Sequence, residues 1–208
     1  MAEKVRVAVL ISGRGSNMLA LSEYKRRDPD RSYEIALVAS NVPDARGLVL
    51  ARRLGIPTWS LSHKGMDREM FDGRLDETLR AHDIEVVALA GYMRLLSDDF
   101  IDKWAGRVLN VHPSLLPLYK GLDTHRRAIT SGDEYGGCSV HIVTADLDSG
   151  PVLGQGKVRI QPRDDSDSLA ARVLEEEHRL YPIVLEGFCR ALIDQREGTD
   201  AGALPDEA

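Results

Sequence analysis

The sequence predicts an α/β protein with a Rossmann-like, mostly parallel sheet, helices on both faces and one late antiparallel strand pair. Three observations carry that expectation. Strand-like and helix-like segments alternate from the first residues. A glycine-rich turn joins the first strand to the first helix, and one later strand is apolar on both faces, as the middle of a parallel sheet requires. Neither a repeat nor a linker interrupts the 208 residues. A single domain is therefore expected over residues 1–195, with the polar, Gly/Ala-rich stretch 196–208 as a loose tail.

The elements follow in order. Val5 to Ile11 is β-branched and apolar and stops at Ser12-Gly13-Arg14-Gly15-Ser16-Asn17, after which Met18 to Lys25 reads as helix. Tyr33 to Ala39 is a second strand. The turn Asn41 to Asp44 leads to a helix from Ala45 to Leu54, which Gly55 and Pro57 end, and Thr58 to Leu61 is a short third strand. The spacing of Met70, Phe71, Leu75 and Leu79 makes Met66 to Ala81 helical. Val86 to Ala90 is the fully apolar strand; Gly91 breaks it, and Ser97 caps a short helix to about Trp104. Arg107 to Val111 is the next strand, and His125 to Thr130 a short helix after a proline-bounded loop. Cys138 to Val143 and Val152 to Ile160 are joined by a short connection, which favours antiparallel pairing. Asp164, Asp165 and Ser166 open a long helix with Leu169, Val173, Leu174, Tyr181, Leu185 and Phe188 on its apolar side. Pro182 should bend or break that helix.

Composition narrows the function classes. A formal charge of −6 argues against a general nucleic-acid binder, which would show a basic face. The two cysteines, Cys138 and Cys189, form no Cys-x-x-Cys pair, and no apolar run approaches the ~20 residues of a membrane span. No signal-peptide core precedes Val5, so the expectation is a cytoplasmic, soluble protein with neither nucleic acid nor membrane as partner.

The chemistry concentrates in three places. In Ser12 to Asn17 the glycines allow a tight turn, and the amides at the helix start favour an anion. No Gly-Lys-Ser/Thr follows, so this is not a P-loop. Met18 stands where a dinucleotide fingerprint needs its third glycine, and Asn41 where a ribose-holding acid belongs; a single phosphate fits better than NAD. Asn110 and His112 leave one face of a strand at i and i+2, where Pro113-Ser114-Leu115-Leu116-Pro117 stiffens the exit. An amide donor and an imidazole aimed at one oxygen form an oxyanion-stabilising pair, although an isolated Asn-x-His at a strand end more often serves backbone groups alone; the stiff loop that follows favours the first reading. Asp148, in Thr144-Ala145-Asp146-Leu147-Asp148-Ser149-Gly150-Pro151, is the natural third member, although turn formation alone would also use such acids. No Gly-x-Ser-x-Gly elbow offers a nucleophile, and the six histidines show no metal-binding spacing, so no metal is expected. The pair suits direct attack by a substrate amine on a bound carbonyl.

Four segments in order then carry a resemblance: Ser-Gly-Arg-Gly-Ser-Asn, Ala90-Gly91-Tyr92-Met93-Arg94-Leu95-Leu96, Asn-Val-His-Pro-Ser-Leu-Leu-Pro and Asp148-Ser149-Gly150-Pro151. Over residues 5 to 190 the chain resembles the phosphoribosylglycinamide formyltransferases, a folate-dependent family of purine synthesis. The resemblance implies the formyltransferase fold, small-molecule substrates and 10-formyltetrahydrofolate as co-substrate, with the formyl group passing to the amine of glycinamide ribonucleotide. By motif, Asn110, His112 and Asp148 correspond to the catalytic trio, with Asn110 and His112 on the oxyanion and Asp148 favouring protonated His112 and helping to relay protons. Gly15, Ser16 and Asn17 match the phosphate-holding positions, and Glu177 the ribose-hydroxyl ligand. Arg68, Met93, Arg94, Leu95, Leu96 and Thr144, together with Asn110 and Asp148, resemble the folate pocket, and His141 matches a position near the site. Arg14 and Asp123 depart from the family's usual residues. The assembly is expected to be a monomer or a homodimer.

Related enzymes share the Asn-x-His and the distant aspartate. A methionyl-tRNA formyltransferase should add a C-terminal RNA-binding domain and a basic surface, and a formyltetrahydrofolate hydrolase an extra N-terminal domain. This acidic chain, with its first strand at Val5 and its end at residue 208, is expected to be neither. A non-catalytic folate- or nucleotide-binding module would differ in activity alone.

Overall fold

A computed structural model describes residues 4–200. Seven strands form one sheet in the order β3-β2-β1-β4-β5-β6-β7. They are β1 (Val5–Ile11), β2 (Tyr33–Ser40), β3 (Thr58–Ser60), β4 (Val86–Leu89), β5 (Val108–His112), β6 (Tyr135–Ile142) and β7 (Val152–Arg159). The helices are α1 (Ser16–Arg27), α2 (Arg46–Arg53), α3 (Arg68–Ala81), α4 (Asp98–Lys103), α5 (Thr124–Thr130) and α6 (Ser166–Asp200).

Strands β1 to β5 are parallel. The expected antiparallel pair is β6 with β7, and β6 also runs antiparallel to β5, a pairing the sequence did not signal. The alternation of β1 explains its unbroken apolar run. Val5, Val7, Val9 and Ile11 pack with Met18 and Leu21 of α1, Leu48 of α2 and Tyr181 of α6, whereas Ala8 and Leu10 pack with Phe71 and Leu75 of α3 and Phe100 of α4. Both faces are covered, as a parallel sheet demands.

Several boundaries differ from expectation. β5 extends through His112, so the histidine is still in the ladder, opposite Ser139. α6 continues unbroken through Pro182; a proline there removes one helical donor but the helix is pinned beside it, where the Tyr181 hydroxyl reaches the carbonyls of Leu89 and Leu109, each at 3.2 Å. α6 also runs to Asp200, past the point where a tail was expected from residue 196, because Arg196 pairs with Glu85 before β4. Residues 201–208 of that expected tail lie outside the described residues. Among the described residues no helix is long and apolar enough to cross a membrane.

The chain leaves β1 toward β2 and β3, then returns to place β4 on the other side of β1. The carboxyl ends of β1 and β4 therefore form the switch point at which an open α/β sheet has its crevice. Ser12 N–H donates to Gly91 O at 3.1 Å across it.

Candidate active site

Beyond β1 the backbone turns at Gly15, whose φ of 78° lies in the left-handed region that glycine tolerates, and α1 begins at Ser16. No acidic side chain occupies the first turn of α1, so its free amides keep their positive end for an anion. The loop is pressed from behind by Gly47 of α2, which donates to Gly13 O at 3.0 Å. A Cβ on Gly47 would stand 3.0 Å from the Gly15 Cα and 2.4 Å from Ile11 Cδ1. Gly47 is thus part of the loop's architecture, and nothing in its local sequence announces it.

Asn17 turns inward. Its Nδ2 donates to Glu177 Oε2 at 2.7 Å, with both side chains buried, and its Oδ1 has no partner. Burial pushes the Glu177 carboxyl up to about 7, against the opposing effect of the Asn17 hydrogen bond. The glutamate that composition alone would assign to a solvated helix face is therefore joined to the glycine loop.

At the end of β5 the expected trio meets. His112 Nδ1 lies 3.4 Å from Asp148 Oδ2, with side chains only 7% and 8% exposed. Asp148 sits at φ 47°, a left-handed turn conformation that aspartate adopts more readily than most residues. On its other ring nitrogen, His112 Nε2 lies 3.0 Å from the Tyr119 carbonyl. A carbonyl only accepts, so Nε2 carries the hydrogen and Nδ1 is the nitrogen left to exchange a proton beside Asp148.

Asn110 faces His141 across the antiparallel β5–β6 ladder, and its Nδ2 lies 3.2 Å from His141 Nε2. His141 Nδ1 donates to the Ile142 carbonyl at 2.9 Å, which leaves Nε2 bare to accept from the amide. Burial lowers the His141 pKa, in keeping with that neutral ring. Asp148 Oδ1 lies 3.7 Å from the same nitrogen. One amide hydrogen of Asn110 is thus used by His141 and the other remains to meet a ligand oxygen.

The loop after β5 is stiffened by more than its prolines. Ser139 of β6 accepts from Leu116 N–H at 3.0 Å and donates to Ser114 O at 2.7 Å, while Gln155 Nε2 donates to Leu116 O at 2.9 Å.

The stretch Met93 to Leu96 follows β4, between the loop and the trio. Met93 and Leu95 expose 71% and 55% of their surface, offering apolar contact. Met93 N–H donates to Ser12 Oγ at 2.7 Å, and Ser12 Oγ donates to Asn41 Oδ1 at 2.6 Å. The Ser12 hydroxyl, sited in the glycine loop, is therefore committed to the Met93 side. Arg94 does not project into the crevice: its Nη2 donates to Asp67 O at 3.0 Å and its guanidinium lies 5.0 Å from the centre of the Phe71 ring. Arg68 is exposed at the start of α3, and Thr144, also exposed, donates its hydroxyl to Asp146 O at 3.2 Å. Arg14 is exposed, and Asp123 precedes α5 at φ 57° without a side-chain hydrogen bond to the helix.

Among the described residues no group of three or more His, Cys, Asp or Glu side chains is arranged to hold a metal. Cys138 and Cys189 are buried free thiols, pushed upward in pKa by burial and unsuited to nucleophilic work.

A family model described as formyl transferase matches residues 5–185. The chain is 42% identical over 205 residues to the phosphoribosylglycinamide formyltransferase of Escherichia coli (strain K12), covering 97% of this chain and 96% of that protein. It is 43% identical over 185 residues to the trifunctional purine biosynthetic protein adenosine-3 of Homo sapiens, covering 88% of this chain and 18% of that protein. Among solved structures, the phosphoribosylglycinamide formyltransferase from Brucella melitensis superposes with a TM-score of 0.85 at 44% identity, over 90% of this chain and 96% of that chain.

Proposed function

The chain belongs to the formyl transferase family, and on that basis we propose that it transfers the formyl group of 10-formyltetrahydrofolate to the amine of glycinamide ribonucleotide in purine biosynthesis. The observation that carries this reading is the meeting of Asn110, His112 and Asp148 at the carboxyl end of β5. The glycine loop follows β1 and the trio ends β5, with β4 between them. Two strand spacings put them about 10 Å apart, a span suited to a phosphate and an amine separated by a ribose.

In this reading the phosphate meets the free amides of Gly15, Ser16 and Asn17, and Glu177 takes a ribose hydroxyl on the carboxylate oxygen that Asn17 leaves free. The exposed side chains of Met93 and Leu95, with Leu96, line the folate, and Arg68 meets its acidic tail. As the amine adds to the formyl carbon, negative charge gathers on the formyl oxygen. The second amide hydrogen of Asn110 and the Nδ1–H of protonated His112 stabilise that charge. As the adduct collapses, the bond from the formyl carbon to the folate nitrogen breaks and His112 gives its Nδ1 proton to that departing nitrogen. The neutral ring, oriented by Asp148 beside Nδ1, then takes the proton released by the amine, so tetrahydrofolate and the formylated amine leave. Amine attack is direct; no protein nucleophile enters.

Purified protein offered the folate donor with glycinamide ribonucleotide, with tRNA or with no acceptor tests the proposal. Tetrahydrofolate formation that depends on the ribonucleotide is expected. Release without any acceptor would favour a hydrolase, and dependence on tRNA a different transferase.

A further inference from the structure

Tyr119 is a bulky residue with φ of 54°, a left-handed conformation that is rare for such a side chain and persists only when its surroundings impose it. The imposition is visible. Tyr119 donates its hydroxyl to Asp133 Oδ2 at 2.6 Å, and the Arg127 guanidinium lies 5.2 Å from the centre of its ring. Arg127 Nη1 also donates to Lys120 O at 2.6 Å and Leu122 O at 3.3 Å, gripping the turn on both sides of Gly121.

The turn so held faces the trio with two backbone groups. The Tyr119 carbonyl accepts from His112 Nε2 at 3.0 Å, and Gly121 N–H donates to Asp148 Oδ2 at 2.9 Å. The same carboxylate oxygen faces His112 Nδ1. One three-residue turn therefore fixes the ring nitrogen that keeps its hydrogen and the carboxylate opposite the nitrogen that exchanges one. A left-handed residue at 119 is what turns the carbonyl toward the histidine while Gly121, at φ 78°, presents its N–H to the aspartate.

We infer that the Tyr119–Gly121 turn is a template that aligns His112 with Asp148, and that Tyr119, Arg127 and Asp133 are positioning residues acting through that pair. The inference rests on the formyl-transfer reading for its readout. None of the three side chains needs to touch a substrate. Their work is to hold a backbone shape whose relaxation would let the ring rotate and the carboxylate drift, and misalignment of that kind lowers turnover more than binding.

The test compares Tyr119→Phe, which loses the hydroxyl alone, with Arg127→Ala at an exposed position and Arg127→Lys as the conservative control. In folded Tyr119→Phe and Arg127→Ala, kcat is expected to fall about tenfold and the pH profile of kcat to shift, with both KM values within about twofold. Arg127→Lys should recover part of the loss. Adding Tyr119→Phe to Asp148→Asn should lower kcat by less than about twofold more, because the template has no pair left to align. Unchanged kcat and pH profile, losses confined to KM, or a full tenfold further loss in the Asp148→Asn background would overturn the inference. Failure of the wild-type chain to transfer formyl at all would instead remove the reading beneath it.

Discussion

His141 stands directly opposite Asn110 in the β5–β6 ladder, and its unprotonated Nε2 is 3.2 Å from the Asn110 amide nitrogen. That contact fixes which end of the amide faces the site. His141→Leu should lower kcat about tenfold while both KM values stay within about twofold, since an oxyanion donor is loosened and no binding group is lost. His141→Gln, which still offers an acceptor, should lose less. Steady-state kinetics decide it, and an unchanged kcat in the leucine variant would count against the assigned donor role.

Glu177 introduces a pH dependence whose sign follows from burial. Its folded pKa of about 7 lies above its ordinary 4.5, so the folded state binds the proton more tightly than the unfolded chain. The contribution to stability is complete below the ordinary value and is lost as pH rises from 4.5 through about 7. Thermal unfolding should therefore show the wild type losing Tm relative to Glu177→Gln across that window. Parallel Tm curves for the two proteins would refute the assignment.

Gly47→Ala tests the backing of the glycine loop. The new methyl group can displace the flexible tip of Ile11, but the Gly15 backbone, 3.0 Å away, cannot yield without moving the loop. The variant should be less stable by roughly 1–3 kcal/mol and show a raised KM for the ribonucleotide. Denaturant unfolding and initial-rate measurements report the two effects.

Ser12→Ala separates the two substrate subsites. Although Ser12 lies in the glycine loop, its hydroxyl serves Met93 N–H and Asn41. Loss of that hydrogen bond, about 1 kcal/mol net, should raise the folate KM about fivefold and leave the ribonucleotide KM within about twofold. The reverse pattern would mean that the hydroxyl meets phosphate.

Much of this arrangement is legible in the sequence because local chemistry decides it. The apolar runs of β1 and β4 demand a sheet covered on both faces, and the short link from β6 to β7 dictates their antiparallel pairing. The direction of β6 against β5 is not legible, because the 22 residues between them include α5 and carry no hairpin signal. The persistence of α6 to Asp200 depends on Arg196 meeting Glu85, a contact between distant segments that composition cannot reveal.

The site divides in the same way. Asn110 and His112 advertise themselves by spacing on one strand, and the loop glycines by their turn. Asp148 can be named from sequence, but its approach to His112 depends on how the loop between β6 and β7 folds. Tyr119 gives no local signal at all: a tyrosine forced into a left-handed conformation contradicts its own preference, and its contacts to Asp133, Arg127 and His112 come from other segments of the fold. Gly47 is silent for a related reason, since its lack of a side chain matters only where α2 approaches Gly15.

In the proposed mechanism His112 and Asp148 act as one unit on the formyl group and its proton. Turnover of 10-formyltetrahydrofolate with glycinamide ribonucleotide by His112→Ala, Asp148→Asn and the double variant measures this most directly, with circular dichroism confirming the fold. Each single substitution should lower kcat by about 10² or more, and the double variant should fall little below the worse single one. Near-normal turnover in either single variant, or losses that multiply in the double, would show that the two residues do not work as a pair.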